Sequence, residues 1–227
     1  MSRIRPPIWL IVTLLCASCT SNRWADRFDV DTGELSTIGA NRYFILVPGY
    51  QLCLAGEEKG KHVELLITVL HDVHPVYGVK TRVVEERESV DGQVVEVSRN
   101  FFAISASGDV YYFGEEVDIY RDGKISSHGG SWIAGRDGAR YGLMVPGSPQ
   151  VGQKAYQEIA PDVAMDRFEV IATDRTERVP AGEFTDCLVT EETTPLEPDS
   201  REQKIYAPKV GLIVDGKLRL VRYGAAE

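Results

Sequence analysis

The sequence predicts a mainly β fold: a large antiparallel meander that curves into a half-barrel or an incompletely closed barrel, with little helix. Apolar and polar residues alternate with a period of two along most of the chain, as they do when one face of a strand is buried. Asp-Gly pairs separate these runs at hairpin spacing. No long stretch carries the 3.6-residue apolar period of an amphipathic helix.

The clearest alternating run starts near residue 62, and its apolar members are Val63, Leu65, Ile67 and Val69. Further runs cover 79–84, 93–106, 110–113, 167–173, 184–190, 202–206 and 217–223. They are rich in Val, Ile, Thr, Tyr and Phe, which suit a pleated surface. Because so many strands must each hide one face, we expect strong curvature.

The turn signals are Asp91-Gly92, Asp122-Gly123 and Asp215-Gly216, with similar signals at Gly108-Asp109 and between Gly56 and Gly60. Asp and Gly tolerate the positive φ angles that a two-residue hairpin loop requires. Short connections join neighbouring strands that run antiparallel. The turns therefore predict a meander.

The N-terminus has the order of a secretory signal. Arg3 and Arg5 precede an apolar run from Ile8 to Leu15, which is much shorter than the roughly 20 residues of a membrane-spanning helix. The end of this run, Ala17-Ser18-Cys19, resembles a bacterial lipobox, and the resemblance implies that Cys19 carries the lipid. Cys16 stands where that pattern usually has Leu, Val or Ile. The open alternative is ordinary cleavage, which leaves a soluble secreted protein.

We therefore expect a signal peptide at 1–18, a flexible tether at 19–41 and a single antiparallel β domain at 42–227. The tether is predicted from its polar, mixed composition. Acyl chains of the palmitate type on Cys19 would attach the protein to a membrane. The expected location is the cell envelope, with the domain facing the periplasm or the cell surface.

The charge of the chain disfavours nucleic acid as a partner. The net charge is −9, and removal of Arg3 and Arg5 with the signal makes it more negative. Such a chain is repelled by phosphate backbones, and no basic cluster offsets this.

Two cysteines remain after Cys19. Cys53 and Cys187 both lie in strand-like runs, and export would place them where a disulfide persists. A disulfide between them is one prediction, and two buried thiols acting as small apolar side chains are the alternative.

Two segments break the alternating rhythm. HDVHP, at His71 to Pro75, is predicted to be a surface turn, and neither His71 nor His74 is expected to bind a metal, because no cluster of ligands surrounds them. The Gly- and Pro-rich stretch 131–152 is predicted to be a long irregular loop, which either caps the sheet or serves a function.

Several short motifs resemble an uncharacterised family of bacterial envelope lipoproteins, sometimes labelled TapB-like. They are NRYFILVPGY from Asn41, VYYFGE from Val110, SWIAGRDGARYGLMVPGSP from Ser131, YQE from Tyr156, VPAGEF from Val179, PLEP from Pro195 and KIYAPKVG from Lys204. The chain departs from the family at Arg42 and Ile45, where prolines are usual, at Tyr111, where a tryptophan is usual, and at Lys209, where a glycine is usual. The resemblance implies a half-barrel-like antiparallel β fold and no established activity.

The candidate site is a set of polar and aromatic residues within these motifs. Its members are Glu115, Trp132, Arg136, Asp137, Tyr156, Glu158, Asp166, Lys204 and Tyr206. They are expected either to line one concave surface and bind a ligand or to brace the irregular loop. No nucleophile elbow, phosphate loop or dinucleotide fingerprint is found in the sequence, and no cofactor is expected.

The sequence favours a non-enzymatic lipoprotein whose curved sheet binds an apolar ligand or an envelope protein. The rival is a carboxylate-dependent hydrolase of envelope polymers that uses Glu115, Glu158 or Asp166. Two facing carboxylates in an open cleft would favour this rival. A purely structural surface lipoprotein is the third hypothesis.

Overall fold

The structure is a computed structural model that describes residues 23–226. Its strands are β1 (Gly39–Ala40), β2 (Ile45–Leu46), β3 (Tyr50–Glu58), β4 (Lys61–Val76), β5 (Val79–Val90), β6 (Gln93–Ile104), β7 (Val110–Arg121), β8 (Lys124–Ser127), β9 (Trp132–Ile133), β10 (Arg140–Val145), β11 (Lys154–Tyr156), β12 (Glu158–Ile159), β13 (Arg167–Val179), β14 (Gly182–Thr194), β15 (Glu197–Ala207), β16 (Gly211–Asp215) and β17 (Leu218–Ala225). The helical structure in this part of the chain is one turn of 3₁₀ helix, Thr32–Glu34. The predicted mainly β antiparallel fold is confirmed.

The sheet consists of two meanders joined edge to edge. Its order is β11-β13-β14-β15-β16-β17-β3-β4-β5-β6-β7-β10-β12, with β8 and β9 also paired to β7 and with β1 and β2 forming a separate pair. The joint is the pairing of β17 with β3, in which Leu220 lies opposite Leu54. This long-range pairing brings the C-terminal meander beside the N-terminal one.

The two edges of the sheet meet at Gln157. At one edge β11 pairs with β13, and at the other edge β12 pairs with β10. Only Gln157 separates β11 from β12 in sequence. Because successive Cα atoms are about 3.8 Å apart, Tyr156 and Glu158 lie within about 8 Å of each other. The sheet therefore curls round until its edges adjoin, without a hydrogen-bonded ladder that closes it.

Asp-Gly chemistry forms two of the hairpins as predicted. Asp91 and Gly92 both have positive φ, 50° and 79°, and so do Asp122 and Gly123, 51° and 72°. At the third site Asp215 is the last residue of β16 and the turn begins at Gly216. The Asp91-Gly92 and Asp122-Gly123 pairs therefore meet the backbone requirement of a tight antiparallel turn.

The interior of the curled sheet is the hydrophobic core. Along β4, Val63, Leu65, Ile67 and Val69 are buried, whereas Glu64 is exposed. Full burial of one aliphatic side chain contributes about 1.5–3 kcal/mol, so these four stabilise β4 against its neighbours. Most of the buried apolar side chains of the described strands belong to one core cluster.

The domain begins earlier than predicted. The N–H of Ala25 donates to the carbonyl of Lys154 at 3.0 Å, and the N–H of Tyr156 donates to the carbonyl of Ala25 at 2.9 Å. Ser36 and Ile104 exchange two backbone hydrogen bonds of 2.8 and 2.9 Å. Residues 23–41, which were expected to belong to a tether, therefore contact the sheet, with Ala25 bonded to the β11 edge and Ser36 bonded to Ile104 of β6. Cys19 and the predicted signal peptide at 1–18 lie outside the described residues.

HDVHP is not a turn. His71 and His74 lie inside β4, which runs through to Val76, and the turn comes later, at Tyr77 and Gly78 with φ of 52° and 80°. The register of β4 against β5 shifts between Val69 and Val73. This bulge lets the strand continue, and both histidines are exposed on it.

Cys53 and Cys187 are free, so the predicted disulfide is absent. Cys53 of β3 lies across from Arg222, and Cys187 of β14 lies across from Arg175. Burial raises the pKa of both thiols, that of Cys187 to about 11. They stay protonated near neutral pH and pack as small apolar groups.

Within residues 23–226 no helix has the length and apolar character needed to cross a bilayer.

Candidate functional site

The structure places an apolar pocket inside the curled sheet. Its apolar wall is formed by Phe44, Ile45, Tyr50, Leu52, Ile67, Val69, Val84, Phe102, Met144, Val210 and Leu212, and its polar end by Glu86, Lys204, Tyr206 and Asp215. We call it the concave pocket. Met144 of β10 and Lys204 of β15 line it together although their strands are far apart in the sheet order, which is a direct consequence of the curling. The cavity measures about 60 Å³, enough for one end of an apolar chain.

Lys204 is the centre of the polar end. Its Nζ lies 3.3 Å from Oε2 of Glu192 and 3.6 Å from Oδ1 of Asp215. Burial by itself would lower the pKa of Lys204, but the Glu192 and Asp215 carboxylates outweigh burial and hold that pKa well above its usual range. Lys204 is therefore a charged side chain in a largely apolar interior. With Glu86 these residues form what we call the Lys204 cluster.

Glu86 completes the cluster from β5. Its pKa is raised to about 7: burial raises the pKa most, the charge of Lys204 lowers it, and the charges of Asp215, Glu115 and Glu96 raise it. This carboxyl is therefore partly protonated near neutral pH. A small change in its surroundings decides whether it is charged.

A second group of acidic side chains lies on β7, on β12 and immediately before β13. Glu158 is 3% exposed and its Oε1 accepts the backbone N–H of Asp166 at 2.6 Å. Burial raises the pKa of Glu115 to about 7 and that of Glu158 well above its usual range. Glu115, Glu158 and Asp166 act on one another electrostatically, so the structure brings these three predicted residues together.

The side chain of Trp132 is buried against β7. It is 5% exposed, lies across from Glu115 in the β7–β9 pair, and packs edge-on against Tyr112 with ring centroids 5.1 Å apart. The Gly- and Pro-rich stretch 131–152 is therefore partly strand, through β9 and β10, and its tryptophan is a packing element. The indole Nε1 has no hydrogen-bond partner among the described residues.

Of the remaining predicted residues, Arg136 and Asp137 line a surface cavity together with Glu115 and Trp132. Arg136 and Asp137 are exposed in the turn between β9 and β10, and neither forms an ion pair in the described part of the chain. Tyr156 is half-buried at the β11 edge, where its ring packs against Trp24 at 6.4 Å and lies under the guanidinium of Arg167. These three do not share a surface with Lys204 and Tyr206.

Sequence reasoning missed Glu86, Glu192 and Asp215, the acidic members of the Lys204 cluster. One signal was available for Glu86. It is two residues after Val84 on β5, and Val84 is buried and lines the concave pocket. Because side chains two residues apart on a strand point to the same face, the alternation already predicts that Glu86 faces the interior. Asp215 was read as part of a turn. Its partner Lys204 lies directly across from it in the β15–β16 ladder, a pairing that becomes visible only when the register is known.

No group of three or more His, Cys, Asp and Glu side chains arranged to hold a metal ion is found in residues 23–226.

Searches of protein families, curated proteins and solved structures find no match for the chain. The resemblance to envelope lipoproteins stays a prediction.

Proposed function

We propose that the protein is a membrane-anchored envelope lipoprotein whose curled sheet binds an apolar ligand in the concave pocket without catalysing a reaction. The observation that carries this proposal is the pocket itself: a sheet that curls round an apolar cavity and leaves its ladder open. Protein interiors are usually packed without such space. Ligand sites are typically apolar concavities with a few polar groups at defined places, and the Lys204 cluster supplies those groups.

The anchor is supported by the sequence around Cys19. A lipid at Cys19 would hold the domain close to a bilayer, which is a source of apolar molecules. Only three residues lie between Cys19 and Arg23, the first described residue, so we expect the domain to stay near the membrane surface.

The hydrolase is the second candidate, because the Glu115 pKa of about 7 suits a general acid. A hydrolase that uses a two-carboxylate mechanism needs a second carboxylate that faces the substrate. Glu158 is the neighbour available, and it is buried with one oxygen already bonded to Asp166. The arrangement of these two side chains therefore favours bracing over catalysis.

A neutral apolar dye tests the proposal. N-phenyl-1-naphthylamine becomes fluorescent when it enters an apolar site, and we expect saturable binding to the purified protein. Ile67→Trp should abolish the signal because Ile67 lines the cavity. The matched control is Leu66→Trp, because Leu66 is the next residue on β4 and does not line the cavity.

Far-ultraviolet circular dichroism checks that both variants fold, since an added ring in a packed core costs about 1–3 kcal/mol. If Ile67→Trp does not fold, Val69→Phe takes its place. A folded, pocket-filled variant that binds the dye as tightly as the wild type would refute the proposal.

A further inference from the structure

The charges inside the concave pocket do not balance. Glu86, Glu192 and Asp215 stand against the single positive charge of Lys204. Besides Lys204 and Asp215, the charged groups that act on Glu86 are Glu115 and Glu96. The polar end of the pocket thus carries more acids than bases. Buried charges are normally paired, so an excess of one sign requires an explanation.

The ammonium group of Lys204 already forms ion pairs with two carboxylates. It lies between Glu192 and Asp215. The other oxygen of Glu192, Oε1, accepts a hydrogen bond from Nε2 of Gln157 at 3.0 Å. Glu86 lines the cavity, and the described part of the chain offers its carboxylate no hydrogen bond. It is the acid of the Lys204 cluster that still lacks a donor.

We propose that the concave pocket binds an amphiphile with a primary amine or guanidinium head, whose N–H groups donate to the Glu86 carboxylate that lines the cavity. The apolar end of the molecule lies among Leu52, Ile67 and Phe102. This inference rests on the proposed function and adds the chemical class of the ligand. A cation offsets the excess of acidic side chains at the polar end of the pocket and supplies hydrogen-bond donors to Glu86.

An anionic head fits less well. Lys204 is the base available in the cluster, and two carboxylates already surround it. An incoming carboxylate or phosphate would face Glu86 and Asp215 at close range. Like charges in such an interior repel strongly.

Three ligands with the same chain separate the head from the tail. Octylamine, octanol and octanoate are titrated calorimetrically into the purified protein at pH 7.5, below their aggregation concentrations. We expect octylamine to bind about tenfold tighter than octanol, as one or two charge-assisted hydrogen bonds imply, and octanoate to bind more weakly than octanol. Glu86→Gln should bring the ratio of octylamine to octanol affinity close to one. Glu64→Gln, an exposed carboxylate on the neighbouring strand β4, is the matched control and should keep the ratio.

The outcomes distinguish this inference from the proposed function. Equal affinity for all three ligands, or a preference for octanoate, overturns the cationic head and leaves the apolar pocket intact. Binding of none of the three overturns the proposed function and this inference with it. An octylamine preference that survives Glu86→Gln also overturns the inference, because the cation then binds elsewhere.

Discussion

Replacing Glu86 with glutamine should stabilise the protein, and only above acidic pH. Glutamine has nearly the shape of a protonated glutamate, so the variant keeps the packing and removes a charge. The charge is unfavourable in place, since burial and the neighbouring acids raise the Glu86 pKa from 4.5 to about 7. A structural salt bridge would behave in the opposite way, because breaking a buried pair costs about 3–5 kcal/mol.

The magnitude follows from the pKa shift. Each pKa unit corresponds to about 1.4 kcal/mol, so the rise from 4.5 to about 7 amounts to roughly 3 kcal/mol as an upper bound. Since the pKa is higher in the folded state, the folded protein binds more protons between these two values. The free energy of unfolding of the wild type therefore falls as pH rises from about 4.5 to about 7 and loses nothing further from Glu86 above that. The variant has no such loss.

The assay is urea denaturation of the wild type and Glu86→Gln at pH 4, 6 and 8, with midpoints and slopes compared. We expect nearly equal free energies of unfolding at pH 4 and a gain of about 2–3 kcal/mol for the variant at pH 8. Glu64→Gln, at an exposed position, should stay within about 0.5 kcal/mol of the wild type at each pH. A destabilised Glu86→Gln at pH 8 would refute the reasoning, because Glu86 would then be a satisfied partner of Lys204.

Three further changes test other parts of the account. Trp132→Ala should lower the free energy of unfolding by about 3–5 kcal/mol, measured by denaturant midpoint, and an unchanged midpoint would show that the ring is not a packing element. Cys53 and Cys187 should react with iodoacetamide once the protein is unfolded, and this reaction should need no reductant. If neither cysteine reacts in the unfolded protein until a reductant is added, the two form a disulfide. Cys19→Ala should move the protein from the membrane fraction to the soluble fraction and abolish palmitate labelling, and a variant that still sediments with membranes would contradict the anchor.

Local patterns were sufficient to predict many of the long strands and several turns. Alternation along Val63 to Val69 predicts an inward face, because period two is a property of the extended chain itself. Asp91-Gly92 predicts a hairpin because few other residues accept positive φ at both positions. Both features depend on neighbours in sequence, and both are found in the structure.

The Lys204 cluster was not predictable in the same way. Glu86 is more than a hundred residues from Lys204 in the chain, and the two meet only because β17 pairs with β3 and the sheet then curls. No turn residue marks that pairing. The contact of the N-terminal segment with the β11 edge was not predictable for the same reason, because Ala25 pairs with Ala155, which is distant in sequence.

The prediction of a surface turn at HDVHP was wrong for a local reason. A proline usually ends a central strand, because it cannot donate to the ladder. Here β4 tolerates Pro75 beyond an irregularity in register with β5, and a bulge of that kind leaves no clear trace in composition.

Nuclear magnetic resonance of the isotopically labelled protein, titrated with octanol, tests the concave pocket most directly. Octanol is neutral, so the result does not depend on the charge of the ligand. The account predicts saturable shifts in the amide signals of Leu52, Ile67, Val84 and Tyr206, which line the cavity, with little change at the exposed Glu64 and Arg136. Shifts confined to exposed residues, or no saturable shifts at all, would contradict an apolar binding site inside the curled sheet.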